Sequence, residues 1–385
     1  MKGLMKYLSP FAPDISGAAE VLFKMGGLIV IIDAGGCTGN VCGFDEPRWS
    51  SERSAIFSAG LRDLDAILGR DEQMMKKIGE VLDVMRDEGG ARFLALVGTP
   101  VPSVIATDYR ALRRMGMNRF GIPTVTVQTT GMDLYDRGQE KAYLALLDEF
   151  MAGGNIEKSD SMRHAERFED ADSADHADST DPADFADPAA PVDHDDPGFL
   201  GILGATPMDL LPSDSTARVG ERAGRCGGPA VRIFGESAED FRDAASFREN
   251  LVVSPSGLAA AKRIRETAGV PFRVSYPLPD GFSSMLAGDI SGRRVLIIHQ
   301  AVLALTIREE LLLAYPDAEI DTATFFMPFG SCRHLAEEDD FIRLVQEGRY
   351  DLIIADPLLR RACRGYAGEF KELSHFAVSG NASAG

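Results

Sequence analysis

The sequence predicts an α/β protein of three Rossmann-like lobes with mainly parallel sheets, interrupted by a disordered acidic insert. Two observations carry this prediction. Short continuous apolar runs, such as residues 28–32, alternate with longer stretches whose apolar residues recur at helical spacing. Such alternation is typical of βαβ units with buried parallel strands. The alternation stops once, at a segment rich in aspartate and proline, and then resumes.

The first lobe is predicted over residues 1–152. Its elements follow from apolar periodicity, and its strands end in loops rich in glycine, threonine or proline. Ligands of parallel sheets bind beyond the carboxyl ends of the strands, so these loops are where a functional site is expected. The predicted strands are residues 28–32, 93–97 and 124–127, and the predicted helices are residues 18–25, 73–87, 103–115 and 135–150.

The acidic insert is predicted over residues 153–198. Fourteen acids and three bases between residues 157 and 196 give a charge of −11, out of −19 for the whole chain. Large apolar side chains are scarce in this segment, and aspartate recurs at every third position from Asp172 to Asp187. Low hydrophobicity with high net charge cannot support a packed core, so the insert is expected to be disordered.

The second and third lobes are predicted over residues 199–275 and 276–385. Both repeat the alternation of buried strands and amphipathic helices. The second lobe is expected to contain strands 199–203, 231–234 and 251–253 and helix 258–268. The third is expected to contain strands 294–298, 320–326 and 352–355 and helices 301–313 and 338–346.

Composition narrows the class of protein. Hydrophobic residues make up 45% and charged residues 26%, which is an ordinary globular balance. A net charge of −19 repels phosphate backbones, so no nucleic-acid partner is expected. The best apolar run, residues 25–32, is far short of the roughly 20 residues that a membrane span needs. The start of the chain lacks the apolar core of a signal peptide, so a cytoplasmic protein is expected, with cysteines as thiols or metal ligands.

The loop after the first strand contains the strongest candidate site. Cys37 lies between Gly36 and Gly39, and Cys42 follows five residues later. Cysteine thiolates hold iron–sulfur clusters, and glycines let the backbone approach a cluster closely because they lack a Cβ. The alternative is a tight turn with two buried thiols. A dinucleotide site is less favoured because the loop lacks the G-x-G-x-x-G order.

Stretches on both sides of the insert resemble one family. They include the cysteine loop, the ends of predicted strands, and the Thr-Pro turn that follows the predicted strand at residues 199–203. These stretches are residues 16–18, 26–33, 36–40, 97–102, 107–108, 201–210, 295–300 and 351–357. Their order and placement resemble the nitrogenase component 1 family, which includes nitrogenase molybdenum–iron subunits, cofactor scaffold proteins and protochlorophyllide reductase subunits.

The resemblance implies a redox function. In that family two related subunits pack together, cysteines from both hold an iron–sulfur cluster, and an ATP-dependent iron–sulfur reductase supplies electrons. The resemblance assigns the ligand role to Cys37, and the cluster is expected to be of the 4Fe-4S type. This sequence departs from the family because residues 9–17 and 98–103 contain no ligand cysteine, while Cys42 is additional. Either two copies each supply Cys37 and Cys42, or a homologous partner supplies the remaining ligands.

The remaining candidates are single residues or a pair. His299 ends an apolar strand and is a candidate proton donor, although a hydrogen-bonded strand-end histidine is the favoured interpretation. Cys332 and His334 form a Cys-x-His pair, which falls short of the usual four zinc ligands. Cys226 is interpreted as a loop thiol, and Cys363 as a packing residue in a helix.

Three functions remain open from the sequence. The first is an oxidoreductase subunit that reduces a substrate bound between its lobes. The second is a non-catalytic scaffold for assembling an iron–sulfur cluster or metallocofactor. The third is a Rossmann-like protein that binds a small ligand and whose cysteines are incidental.

Overall fold

The computed structural model describes residues 5–41, 55–62, 71–87, 89–151, 198–224 and 229–380. Cys42, Cys226 and the predicted acidic insert, apart from Gly198, lie outside the described residues. The described chain contains three parallel sheets flanked by helices, which confirms the predicted α/β fold. The predicted lobe boundaries stay predictions.

The first lobe contains a four-stranded sheet. All of its strand pairs are parallel, with the order β2-β1-β3-β4. Its strands are β1 (Leu28–Ile31), β2 (Ala55–Ser58), β3 (Leu94–Val97) and β4 (Thr124–Val127). Its helices are α1 (Asp14–Phe23), α2 (Gly36–Asn40), α3 (Asp71–Arg86), α4 (Pro100–Val104), α5 (Tyr109–Phe120) and α6 (Tyr135–Phe150).

The second lobe contains a four-stranded parallel sheet with the order β6-β5-β7-β8. Its strands are β5 (Phe199–Leu203), β6 (Ala230–Ile233), β7 (Phe247–Val252) and β8 (Phe272–Val274). Its helices are α7 (Thr216–Ala223), α8 (Ala238–Arg242) and α9 (Leu258–Ala268).

The third lobe contains a five-stranded parallel sheet with the order β11-β10-β9-β12-β13. Its strands are β9 (Arg294–Ile298), β10 (Glu319–Thr324), β11 (Arg333–His334), β12 (Leu352–Ala355) and β13 (Glu369–Glu372). Its helices are α10 (Phe282–Ala287), α11 (Ala301–Ala314), α12 (Glu338–Gly348) and α13 (Phe376–Ser379).

The central strands explain why the core forms where it does. Every residue of β1, β3 and β12 is buried, and these strands consist almost entirely of aliphatic side chains. Helices cover both faces of such a sheet, so a continuous apolar run can bury both of its sides. The loops after these strands therefore lie on rigid supports.

The predicted helix over residues 103–115 is wrong. The structure has α4 and α5 there, separated by a turn in which Ala106 has a φ of 50°. Asp108 precedes α5 and its carboxylate accepts a hydrogen bond of 2.9 Å from the Ala111 amide. This N-terminal cap starts a new helix and so replaces the continuous one.

The described part of the chain has no helix that is both long and apolar enough to span a membrane.

Candidate metal centre

Cys37 lies in α2, directly beyond the carboxyl end of β1. The loop predicted from its glycines is thus a short helix, entered through Gly35 at a φ of 109°. A non-glycine residue is strained in that left-handed region, so a glycine is required at the turn. The Cys37 side chain is half-buried and packs against the apolar core under β1.

Asp33 fixes the cysteine loop. One carboxylate oxygen accepts a hydrogen bond of 2.8 Å from the Thr38 amide, and the other accepts one of 2.7 Å from the Ser58 hydroxyl. Asp33 is 1% exposed, so these bonds are shielded from water. The carboxylate therefore ties the start of α2 to the end of β2.

A second carboxylate orders the neighbouring loop. Asp14 on α1 accepts hydrogen bonds of 2.8 Å from the amides of Thr130 and Gly131, in the loop after β4. Burial raises the pKa of Asp14 above its usual range. Since β1, β3 and β4 are adjacent and parallel, the loops after them lie at one edge of the sheet.

The electrostatic surroundings of Cys37 disfavour the free thiolate. Partial burial raises the pKa of the Cys37 thiol, and the negative charges of Asp33 and Asp14 raise it further. The thiol is therefore protonated at neutral pH, and a metal that binds there must displace its proton.

The loop fits an iron–sulfur cluster in part. A Cβ placed on Gly35, Gly36 or Gly39 would meet no atom of the described residues within 4 Å, so these glycines face space that no described residue fills. The buried Thr38 hydroxyl has no hydrogen-bond partner within the described ranges. Among the described residues no three histidine, cysteine or acidic side chains form a metal-binding group. Cys37 could supply one ligand, and the others must come from elsewhere.

The other described cysteines are not brought to this site. Cys332 and Cys363 are buried in the third lobe, and burial raises the pKa of each thiol to about 12. His334 is exposed on β11, whereas Cys332 points into the core, so the Cys-x-His pair does not converge. Cys363 packs as predicted, but it follows a 3-10 helix instead of lying within a helix.

His299 lies at a junction where the three lobes meet. It is 1% exposed and stacks on His375, with ring centroids 4.1 Å apart. Burial lowers the pKa of His299 to about 4, so the ring is neutral at pH 7. The junction also contains Tyr135 and Asp209, which are hydrogen-bonded to each other.

The sequence reasoning missed three of these junction residues. Asp209 follows β5 in the Thr206–Leu210 turn, so its place beyond a strand end was a usable signal. Tyr135 and His375 carry no such signal, since only the packing of three lobes brings them together.

The fold is similar to that of two solved nitrogenase structures. The solved structure titled nitrogenase Cp1 at pH 6.5 is similar with a TM-score of 0.62 and 11% identity, covering 97% of this chain and 87% of that chain. Nitrogenase Cp1 at pH 5 matches with a TM-score of 0.62 and 12% identity, over 99% of this chain and 86% of that one. No protein-family model matches the sequence, and no curated protein matches it either. At this identity the likeness establishes the fold.

Proposed function

We propose that this chain is a subunit of an oxidoreductase of the nitrogenase component 1 type. It receives electrons through an iron–sulfur cluster at Cys37, from an ATP-dependent iron–sulfur reductase, and serves the reduction of a substrate whose identity is left open. The observation that carries the proposal is the fold shared with nitrogenase Cp1 over 97% of the chain. The place of Cys37 beyond the first strand of that fold supports it.

The described residues have distinct parts in this proposal. Cys37 supplies a thiolate, while Gly36 and Gly39 keep the adjacent space free of side chains. Asp33 holds the loop in place through the Thr38 amide. A bound cluster of the 4Fe-4S type supplies single-electron transfer.

The cluster needs a second chain in this proposal. Two nearby cysteines at most, Cys37 and Cys42, belong to this loop, whereas a 4Fe-4S cluster takes four ligands. The loops after β3 and β4 present exposed apolar side chains, with Val104 and Met132 each 84% exposed. An apolar surface beside the ligand loop suits a partner of the same fold, either another copy or a homologue.

A scaffold for cluster or metallocofactor assembly is the second candidate. One observation favours it: buried aromatic rings pack closely where the lobes meet. Tyr135 lies 4.9 Å and His375 4.8 Å from the Phe326 ring, centroid to centroid. Close packing at this junction is what a protein without a substrate site there would show. Reductant-dependent turnover with the cognate ATPase would support the enzyme, and its absence in a cluster-loaded protein would support the scaffold.

Cysteine substitutions test the cluster site. Replacing Cys37 by Ala should remove most of the iron, labile sulfide and visible absorbance from anaerobically purified protein. Cys363→Ala is the matched control, since that thiol is 8% exposed in the third lobe and should not affect iron content. Circular dichroism should show that both variants fold. Wild-type iron content in the Cys37 variant would reject the proposal.

Cys42 distinguishes the two ligand schemes. If each of two copies supplies Cys37 and Cys42, then Cys42→Ala should lose iron as Cys37→Ala does. If a homologous partner supplies the remaining ligands, Cys42→Ala should retain iron as the Cys363 variant does.

A further inference from the structure

A hydrogen-bonded chain of buried polar side chains joins the three lobes. Tyr135 begins α6 in the first lobe, Asp209 follows β5 in the second, and His375 precedes α13 in the third. The Tyr135 hydroxyl oxygen lies 2.8 Å from Oδ1 of Asp209 and 3.1 Å from Nε2 of His375. Each of these residues is at most 1% exposed. One hydroxyl group therefore contacts both other lobes.

The chain continues on the other side of Asp209. Its Oδ2 accepts a hydrogen bond of 2.9 Å from the Thr206 hydroxyl, and the Thr206 oxygen accepts one of 2.6 Å from the Gln139 amide on α6. The first and second lobes are thus linked twice, once through Tyr135 and once through Gln139.

With Asp209 ionised, the hydrogen-bonded chain of Asp209, Tyr135 and His375 has one donor hydrogen too few. A backbone hydrogen bond to Met208 raises the pKa of His375, so the ring donates it to the Met208 carbonyl, and we assign it to Nδ1 because Nε2 faces Tyr135. A neutral imidazole has one donor nitrogen, so Nε2 is then an acceptor. An ionised Asp209 is an acceptor as well, and the single Tyr135 hydrogen can serve only one of them.

One added proton removes the conflict. A protonated Asp209 donates to the Tyr135 oxygen, and the Tyr135 hydroxyl can then donate to Nε2 of His375. The facing oxygen and nitrogen atoms of Asp209, Tyr135 and His375 all have partners in that arrangement, whereas an unsatisfied buried atom costs free energy.

The charges around Asp209 favour the same protonation state. The pKa of Asp209 is raised to about 8, chiefly by burial and also by the nearby carboxylates of Asp136 and Glu20, although hydrogen bonds from Tyr135 and Thr206 lower it. The other titratable groups that face the junction are the phenol of Tyr143, which interacts with Asp209, the stacked rings of His375 and His299, and the Asp356 carboxylate, which accepts a hydrogen bond of 2.8 Å from the His375 amide. Burial lowers the pKa of both histidines, so both rings are neutral at pH 7.

We propose that Asp209, Tyr135 and His375 form a proton-holding catch that keeps the three lobes together. The catch is closed while Asp209 carries the added proton. When the lobes separate, Asp209 enters water and releases that proton to solvent. Because the catch requires no metal, its test is independent of the function proposed for Cys37 and can use the metal-free protein.

The pH dependence has a defined sign. A solvated aspartate titrates near pH ~4, and closed Asp209 near pH 8. Between these values the closed state binds one proton more than the open state. Each unit rise in pH therefore makes opening about tenfold more favourable, and the effect ends above about pH 8.

Hydrogen exchange and denaturant unfolding of wild type and Asp209→Asn test the catch. The amide of the variant can donate to the Tyr135 oxygen and accept from Thr206, but it does not titrate. The ratio of the wild-type to the variant folding constant should fall about tenfold per pH unit from pH 5 to 7 and level off above pH 8. Asp83→Asn, an exposed ion-pair change on α3, should give a constant ratio. A constant ratio for Asp209→Asn would overturn the proposal.

Exchange in the wild-type protein gives a test without any variant. After correction for intrinsic rates, exchange of peptides covering residues 134–137, 205–210 and 374–378 should accelerate from pH 5 to 8. Peptides covering β9 should stay more protected than these peptides at every pH, because this strand is buried inside one lobe and exchanges only when that lobe unfolds. Equal protection of β9 and the junction peptides would mean that the lobes do not open separately, and would overturn an interlobe catch.

Discussion

Asp33 shows how one buried carboxylate can define a site before any ligand is present. It contributes no ligand in the proposed scheme, yet it orients the residues around Cys37 through the Thr38 amide and the Ser58 hydroxyl. Hydrogen bonds to a charged acceptor are the stronger class of hydrogen bond in proteins. The geometry of the cysteine loop therefore depends on this side chain.

Replacing Asp33 by Ala should destabilise the protein by about 2–3 kcal/mol, because it leaves a buried amide and a hydroxyl without their acceptor. Asp33→Asn should cost less than about 1 kcal/mol, since its oxygen can still accept from Thr38 and its amide can donate to Ser58. Urea unfolding of the metal-free protein measures both. Equal stability of the Ala variant and the wild type would show that the carboxylate does not hold the loop.

At the residue scale, the sequence predicts where a residue lies in the fold better than it predicts which side chains surround that residue. The place of Cys37 beyond a buried strand follows from the apolar run before it. The carboxylates of Asp14 and Asp33 could not be assigned to its surroundings, because Asp14 binds the amide of Gly131, 117 residues away, and Asp33 binds Ser58, 25 residues away. The assignment of Cys37 as a cluster ligand stays a prediction.

At the scale of elements, α1 and α6 make an unusually close contact through two glycines. A Cβ on Gly17 would overlap the carbonyl oxygen of Tyr135, and a Cβ on Gly138 would overlap that of Asp14. The two helices approach so closely because neither has a side chain at the crossing point. This contact sets the position of Asp14 beside the cysteine loop and of Tyr135 at the junction.

Gly17→Ala should destabilise the protein by about 2–3 kcal/mol, because backbone atoms must move to admit the methyl group. Gly220→Ala is the matched control on α7, where the added Cβ would lie 3.5 Å from Val231 in ordinary contact. That variant should be stabilised by about 0.5–1 kcal/mol, since alanine is the better helix former. Thermal unfolding compares the two. If both behaved alike, close helix contact would not explain Gly17.

Central and edge strands differ in how well the sequence predicts them. The continuous apolar runs of β1, β3, β9 and β12 were identified because both faces of each strand are buried. Of the six edge strands in the described sheets, β4 and β6 were predicted, whereas β2, β8, β11 and β13 were missed. Their residues are half-buried or exposed, and β13 has the mixed sequence Glu-Phe-Lys-Glu. Exposed edges lack the apolar pattern on which sequence reasoning depends.

At the scale of the whole molecule, the three-lobe α/β fold was predictable because the same alternation occurs three times. The meeting of the lobes was not, because its contacts join residues such as Tyr135 and His375 that are 240 positions apart. The disordered state of the insert stays a prediction, since residues 153–197 lie outside the described part of the chain.

The number of cluster ligands that one chain can supply determines how many chains the cluster-loaded protein should contain. The cysteine loop of one chain cannot complete a four-ligand cluster, so the cluster-loaded protein should contain at least two chains. Light scattering under anaerobic conditions should give a mass at least twice the 41.6 kDa of one chain. A monomer with a full cluster would contradict this.

The exposed apolar side chains near Cys37 locate the expected contact. Val104 and Met132 are each 84% exposed at the edge of the first sheet where Cys37 lies, so burying them in a partner removes apolar surface from water. Replacing both by Asp should shift the protein towards the monomer and lower its iron content, because a charge in the contact must be desolvated. Leu313→Asp is the control, since Leu313 is 86% exposed in the third lobe and should leave both mass and iron unchanged. If the double variant kept its mass and its iron, the partner surface would have to lie elsewhere.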